Sequence, residues 1–243
     1  MAPEWIKTRP IAHRGLHDER RPENSLAAFK AAQEAGYAIE LDVQLMKDGN
    51  IAVFHDDFLD RMTSSEGDIR QMTALELRET RLNGNAEPIP TLDKVFEQIH
   101  APIYIDVKSH GPAGKFEQRL LALIRHYKPD VAVASFNPQT VLWFKENAPD
   151  IPRAIISYDY KDSDLGLLER RRLKNLKYNR RLKPDFISYD LRALPFWRVW
   201  IARKLFKIPV VTWTVKTEAD LAKAKKVADN YVFEGLRPVT GNG

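Results

Sequence analysis

Eight short runs of β-branched and apolar residues alternate with helical segments along this chain of 243 residues. The predicted strands lie at 11–13, 38–43, 103–108, 131–136, 153–158, 185–190, 209–215 and 230–234. The predicted helices lie at 25–35, 91–99, 114–127, 138–147, 196–206 and 218–227, and Ser25 is the expected N-cap of the first. Eight strands with helical crossovers in this length are typical of an α/β protein of the (β/α)8, or TIM-barrel, class. We expect one domain over residues 1–243.

A hairpin interrupts the alternation after the second strand. Residues 44–47 and 51–55 flank Asp48-Gly49, a strong signal for a two-residue hairpin loop. Counting both flanks as barrel strands would exceed eight. We therefore expect a hairpin above the second strand that returns His55 to the barrel mouth, followed by a small cap or insertion at about 56–90.

The composition excludes several kinds of site. The chain has no cysteine, which excludes disulfides, thiolate metal ligands and a cysteine nucleophile. No window approaches the roughly 20 apolar residues of a membrane-spanning helix. Residues 1–9 lack the apolar core of a signal peptide, so the expected location is the cytoplasm.

The net charge of +5 comes from one segment. Residues 170–183 contain eight Lys or Arg and no Asp or Glu, whereas the remainder has 30 basic and 33 acidic residues. This distribution argues against a nucleic-acid partner and predicts a local anionic contact or a solvated loop.

Aromatic residues follow this basic segment, and they have two interpretations. Phe196, Trp197, Trp200 and Phe206 could pack on the barrel from the helix at 196–206, which is the interpretation we favour. Alternatively, residues 170–207 form a peripheral contact with a membrane surface, where cations meet anionic headgroups.

Charged residues stand where several predicted strands end. Because barrel strands present functional side chains at their C-terminal ends, we expect these residues to converge. Glu40 and Asp42 are two residues apart and point to one face, and Asp106 and Lys108 repeat that spacing. Three carboxylates without thiols predict a site for one divalent cation, Ca²⁺ or Mg²⁺.

The remaining groups suit a reaction on a phosphate diester. Arg14 can make forked contacts to phosphate oxygens, and Lys108 offers a point charge. His13 and His55 are the candidate acid–base pair, since imidazole can give or take a proton near neutral pH. Any one of these residues could be structural, but their convergence favours metal-assisted phosphodiester cleavage. Water and a hydroxyl of the substrate both remain candidate nucleophiles.

Motifs over nearly the whole chain resemble the glycerophosphodiester phosphodiesterase family. They are His13-Arg14-Gly15, Pro22-Glu23-Asn24-Ser25, Glu40-Leu41-Asp42-Val43, Asp48-Gly49 leading to His55-Asp56, Pro90-Thr91-Leu92, Ser135-Phe136-Asn137 and Trp213-Thr214-Val215. The resemblance implies a TIM barrel that hydrolyses glycerophosphodiesters to glycerol 3-phosphate and an alcohol. It implies that His13 and His55 are catalytic, that Glu40, Asp42 and Asp106 bind the metal, and that Arg14 and Lys108 hold the phosphate. Glu23 and Asn24 would support these groups.

Three positions depart from the family pattern. The family usually has glutamate at the position of Asp106, asparagine at Lys216 and aspartate near Glu234. Trp213 is expected either to form an aromatic wall for the glycerol or a choline cation, or to fill the top of the barrel core.

Two other functions use the same residues. The protein could be a lysophospholipase D-type hydrolase that acts on lysophospholipids at a membrane surface. It could instead be a non-catalytic barrel that binds phosphate or an anionic membrane.

Overall fold

A closed barrel organises the part of the chain that the computed structural model describes, residues 1–84 and 86–240. Its strands are β1 (Ile11–Ala12), β2 (Ala38–Leu45), β3 (Ile51–Val53), β4 (Ile103–Val107), β5 (Val131–Ser135), β6 (Arg153–Ser157), β7 (Phe186–Asp190), β8 (Val210–Val215) and β9 (Asn230–Phe233). Among these residues the sheet runs β1-β9-β8-β7-β6-β5-β4-β2, and β2 pairs back onto β1. These eight strands are parallel, which confirms the predicted TIM barrel.

Helices connect the barrel strands. They are α1 (Trp5–Thr8), α2 (Leu26–Glu34), α3 (Ala74–Glu79), α4 (Leu92–Gln98), α5 (Lys115–Tyr127), α6 (Pro138–Asn147), α7 (Leu167–Lys174), α8 (Asn179–Leu182), α9 (Trp197–Lys204) and α10 (Glu218–Val227), with 3₁₀ turns at Ile69–Gln71 and Leu191–Ala193. All six predicted helices are present. The Ser25 hydroxyl accepts a hydrogen bond from the Ala28 amide, which confirms the predicted N-cap.

Of the two alternatives for residues 170–183, the solvated loop is wrong, because α7 and α8 occupy most of this segment. In these two helices only Leu173 and Leu182 are buried. With one buried leucine in each helix, the sequence shows no apolar periodicity from which a helix could be predicted.

The predicted hairpin is confirmed. Strand β2 continues past the barrel and pairs antiparallel with β3, with Val43 opposite Val53 and Leu45 opposite Ile51. The cap that follows has its own small core, built from Met46, Ala52, Phe54, Leu59, Ile69, Leu77, Leu82 and Ile89. This core fixes the cap against the hairpin, and so fixes the position of His55.

The favoured packing of the aromatics at 196–206 is wrong for three of the four. Trp197, Trp200 and Phe206 are 57%, 56% and 71% exposed, whereas Phe196 stacks on Tyr189 with ring centroids 5.9 Å apart. Val199 and Ala202 are the buried residues of α9. These two follow Phe196 at intervals of three, so the apolar face is smaller than the aromatic count suggests.

Small and large residues alternate inside the barrel. Tyr104 and Phe186 pack among Ala38, Ala132, Ala134 and Ala154, and α1 adds Trp5 and Ile6 to the same cluster. The Trp5 indole donates to Asp130, and Asn230 donates to the carbonyls of Ile6 and Arg9. Helix α1 is thereby fixed to the barrel core.

Two further sequence predictions concern the whole chain. No helix in residues 1–84 and 86–240 is long and apolar enough to cross a membrane. One domain over residues 1–243 stays a prediction, and its last three residues lie outside those described.

Candidate active site

One pocket of about 160 Å³ gathers most of the site residues expected from the sequence. It opens among the C-terminal ends of the barrel strands. Those expected residues that line it are His13, Arg14, Glu40, Asp42, His55, Asp106, Lys108 and Trp213. Glu23 and Asn24 lie behind this lining and contact Arg14 and Asp42.

Three carboxylates meet on one side of the pocket. Asp42 and Asp106 are register partners on the neighbouring strands β2 and β4, and Glu40 is two residues earlier on β2. One oxygen from each of the three lies within 4.8 Å of the others, and all three residues are buried. The Lys108 Nζ is 2.9 Å from Asp42 Oδ1 and 2.7 Å from Asp106 Oδ2, so its ammonium offsets part of this negative charge.

The three acids have different affinities for protons. Burial, together with the charges of Asp42 and Asp106, raises the pKa of Glu40 well above its usual value. Burial also acts to raise the pKa of Asp42, but Lys108 and Arg14 outweigh it and lower that pKa. For Asp106 burial prevails over Lys108, and its pKa is raised. Without another cation, Glu40 is therefore the carboxyl that best retains a proton.

The donor set fits a hard divalent cation. All three donors are oxygens, and Asp106 Oδ1 is buried without a hydrogen-bond partner among the described residues. A buried carboxylate oxygen is costly to leave unsatisfied, and a cation would satisfy it.

His13 is held by a carboxylate from the last strand. Its Nδ1 lies 3.0 Å from Glu234 Oε2, and its Nε2 lies 4.0 Å from Glu40 Oε2. The Lys216 Nζ lies 3.1 Å from the same Glu234 oxygen. The hydrogen bond from His13 lowers the pKa of Glu234 to about 2, whereas burial lowers the pKa of His13. An ionised Glu234 can only accept a hydrogen bond, so the proton of neutral His13 lies on Nδ1. Its Nε2 is then unprotonated and can accept a proton.

His55 has the same arrangement on the opposite loop. Its Nδ1 lies 2.6 Å from Asp56 Oδ1, and Arg61 of the cap donates to Asp56. Arg61 also donates to Glu23, and Glu23 accepts from Arg14 at 2.7 Å. A chain of ion pairs therefore connects the His55 loop to the Arg14 loop through the cap.

The turn after β1 needs its glycine. Gly15 has a φ of +81°, and a Cβ at this position would lie 2.8 Å from the Ala28 backbone. The turn directs the Arg14 amide to Glu40 Oε2 at 2.8 Å. Asn24 tolerates its own φ of +57° and donates to Asp42 Oδ2 at 2.9 Å.

Aromatic side chains form the other side of the pocket. Trp213 lies edge-on to Phe136 with ring centroids 5.7 Å apart, and it also packs against the interior cluster. Its Nε1 is buried without a hydrogen-bond partner among the described residues. Trp213 therefore both caps the core and faces the pocket.

Sequence reasoning missed the positioning role of several residues. Glu234 and Lys216 were noticed only as departures from the family pattern, and Asp56 only as part of a motif. Arg61 lies in a segment without periodicity, so no sequence signal singled it out. The structure also places His17 near His13 and Glu234, and pairs His110 with Asp57.

Comparison with known proteins identifies the family. Residues 13–233 match the glycerophosphoryl diester phosphodiesterase family. The chain belongs to this family. The Bacillus subtilis protein YhdW is 35% identical over 226 residues, which is 88% of each chain. The glycerophosphodiester phosphodiesterase of Caldanaerobacter subterraneus is 38% identical over 161 residues, covering 60% of this chain and 65% of that protein.

Solved structures of the family share the fold. A phosphodiesterase of Oleispira antarctica, in complex with the product sn-glycerol-3-phosphate, superposes with a TM-score of 0.79 and 22% identity, covering 95% of this chain and 94% of that one. The glycerophosphodiester phosphodiesterase of Thermotoga maritima gives a TM-score of 0.74 and 24% identity, with 93% and 94% covered.

Proposed function

We propose that this protein hydrolyses glycerophosphodiesters to glycerol 3-phosphate and an alcohol, with one divalent cation and two histidines. One observation carries the proposal. Two imidazoles, each with a carboxylate on Nδ1, share a pocket with three buried carboxylates and two basic side chains. Membership of the family supports it. Neither alternative is favoured, since the relatives are named for glycerophosphodiester cleavage.

Glu40, Asp42 and Asp106 would hold the cation, and Ca²⁺ and Mg²⁺ both suit an all-oxygen site. When bound, the cation neutralises negative charge that develops on the phosphate. Arg14 and Lys108 line the same pocket and bind the phosphate oxygens. Glu23 and Asn24 keep Arg14 and Asp42 in position through direct hydrogen bonds.

His13 and His55 divide the proton transfers. One accepts the proton of the nucleophile, either water or a hydroxyl of the substrate, as the new phosphorus–oxygen bond forms. The other donates a proton to the alkoxide oxygen as the old bond breaks. If the substrate hydroxyl attacks, water then opens the cyclic phosphate to give glycerol 3-phosphate. Fixing Nδ1 by a carboxylate leaves Nε2 of each ring available for this exchange. Trp213 provides an apolar wall for the glycerol or the alcohol.

The direct test is an assay on a panel of glycerophosphodiesters, including glycerophosphocholine, glycerophosphoethanolamine and glycerophosphoglycerol. We expect release of glycerol 3-phosphate in the presence of Mg²⁺ or Ca²⁺, and loss of activity with a chelator that added cation restores. Lysophosphatidylcholine serves as the comparison substrate. Cleavage of the lysophospholipid alone, or full activity in chelator, would contradict the proposal.

Lys216 and Glu234 provide a narrower prediction. Replacing Glu234 with glutamine removes the charge that fixes His13, and we expect kcat to fall about 10- to 100-fold, as for other residues that orient an active histidine. KM should change little, because Glu234 does not line the pocket. Lys216→Asn should lower kcat less, since the lysine only steadies Glu234. Steady-state kinetics will measure both effects. Glu218→Gln on α10 is the control, and an equal loss there would refute a specific role for Glu234.

A further inference from the structure

Exposed apolar side chains are concentrated in one part of the molecule. Of the eleven large apolar residues exposed in the described part of the chain, seven lie between 165 and 206. They are Leu165, Leu167, Leu168, Trp197, Trp200, Leu205 and Phe206, and they are 43% to 72% exposed. We call the segments that carry them, residues 165–207, the α7–α9 surface. Such clustering marks an interaction site, whereas scattered exposed residues do not.

The first residues of α7 and α9 border the mouth of the barrel. The segments that lead into α7 and α9 leave β6 and β7 at their C-terminal ends, where the active-site pocket opens. Leu165, Leu167 and Leu168 precede or begin α7, and Trp197 begins α9. A series of aromatic contacts continues from the pocket toward this segment. The ring centroids of Phe136 and Tyr158 are 6.0 Å apart, and those of Tyr158 and Tyr160 are 4.0 Å apart.

The same surface carries a net positive charge larger than that of the whole chain. Residues 165–207 contain thirteen Lys or Arg and three acidic residues, although the whole chain has a net charge of only +5. Some of these cations have a carboxylate partner: Arg172 pairs with Glu169, Arg192 pairs with Asp190, and Arg203 pairs with Asp229. Most of the cations are therefore left to attract an external anion.

A groove between α7 and α9 concentrates these cations. It has a volume of about 540 Å³, and its lining includes Arg171, Arg172, Lys177 and Arg198 beside Leu168. Among the described residues, no carboxylate lines it. The Arg198 guanidinium lies 4.2 Å from the ring centroid of the exposed Trp197. Arginine and tryptophan each have an apolar part and a polar part. Such side chains suit the headgroup layer of a bilayer, where the apolar part can be buried while the polar part stays solvated.

We propose that the α7–α9 surface docks the protein on an anionic lipid bilayer, with the barrel mouth turned toward the headgroups. The cations attract the negative headgroups, and the exposed leucines and tryptophans near the N-terminal ends of α7 and α9 enter the interface. A second copy of the chain is a poor occupant, because two such surfaces would repel each other. A nucleic acid is also a poor occupant, because it offers no apolar contact to the exposed leucines.

Vesicle sedimentation tests this docking. We expect the wild-type protein to sediment with vesicles of phosphatidylglycerol and phosphatidylcholine, to stay in solution with pure phosphatidylcholine, and to be released by salt. Arg171→Glu with Lys177→Glu should weaken binding at least about tenfold, since each cation near an anionic surface strengthens it several-fold. Trp197→Ser with Trp200→Ser should also weaken binding. Circular dichroism will show that both double variants are folded.

Matched controls separate position from chemistry. Lys225→Glu with Lys226→Glu changes charge on α10, and Leu75→Ser removes an exposed apolar residue from α3. Both should bind as the wild type does. His13→Ala should also bind normally, so that failure of docking and failure of the proposed function are distinguishable. Equal binding to both kinds of vesicle would overturn the proposal, and so would an equal loss of binding in the controls. Self-association or nucleic-acid binding through this surface, without vesicle binding, would overturn it as well.

Discussion

Replacing His13 or His55 with alanine is expected to lower kcat on a glycerophosphodiester about 100- to 10,000-fold, the usual contribution of a positioned acid or base. Each imidazole faces the pocket and has its Nδ1 fixed by a carboxylate, at 3.0 Å for His13 and 2.6 Å for His55. No other histidine lines this pocket among residues 1–84 and 86–240. Steady-state assays on the best natural substrate will measure the loss.

A substrate with a good leaving group will distinguish the two roles. A p-nitrophenyl diester needs no proton on its departing oxygen, so the variant that lacks the acid should regain most of its activity. The variant that lacks the base should remain slow. Recovery of neither variant, or of both, would contradict the division of roles.

His110→Ala is the matched control for these variants. The Nε2 of His110 lies 3.0 Å from Asp57 Oδ1, so this histidine also has a carboxylate partner, but it is 47% exposed and does not line the pocket. Its replacement should leave kcat unchanged. A loss like that of His13→Ala would show that histidine–carboxylate pairs support the fold rather than the chemistry.

Replacing Glu40 with glutamine is expected to weaken divalent-cation binding at least about tenfold while preserving the stability of the metal-free protein. Burial and two neighbouring carboxylates raise the pKa of Glu40 well above its usual value, so the metal-free protein retains a proton there to a higher pH than an ordinary glutamate does. Glutamine resembles this neutral form and can still accept from the Arg14 amide. It cannot become the anionic ligand that a cation needs.

The pH dependence has a defined sign. For the metal-free protein, a raised pKa at Glu40 contributes stability at low pH, which is lost as pH rises toward that pKa. A cation must displace the proton, so its affinity for the wild type should fall as pH drops below the pKa of Glu40. In Glu40→Gln, the contribution of Glu40 to the pH dependence of cation affinity and of stability should disappear.

Calorimetric titration with Mg²⁺ or Ca²⁺ in two buffers of different ionisation enthalpy will measure affinity and proton release. Thermal unfolding without cation will measure stability. Glu117→Gln is the control, since Glu117 is a fully buried carboxylate that accepts from Thr140 and the Gly114 amide. It should lower Tm and leave cation affinity intact. Wild-type affinity in Glu40→Gln would exclude Glu40 as a ligand.

The sequence could reveal the barrel and much of the pocket because these features depend on local patterns. Glu40, Asp42, Asp106 and Lys108 lie in or next to strong strand signals, and parallel strands bring their C-terminal ends together. The Asp48-Gly49 signal also placed the hairpin correctly. Turn chemistry and strand alternation are visible without knowledge of tertiary contacts.

Pairings between distant segments could not be predicted. Glu234 meets His13 across 221 positions, and Arg61 reaches Glu23 from a cap without periodicity. Such contacts depend on how loops close over the barrel, for which a single sequence carries no signal. The exposed face of α9 was misjudged for another reason. Four aromatic residues in one helical segment predict a broad buried face, whereas Val199 and Ala202 fill the inward positions.

The contacts of Arg61 connect the cap with two residues of the pocket. One guanidinium holds Asp56, the partner of His55, and also Glu23, the partner of Arg14. One side chain of the cap therefore holds the carboxylate partners of both His55 and Arg14. Substitutions in the cap that displace Arg61 are therefore expected to shift two residues of the pocket together, His55 through Asp56 and Arg14 through Glu23.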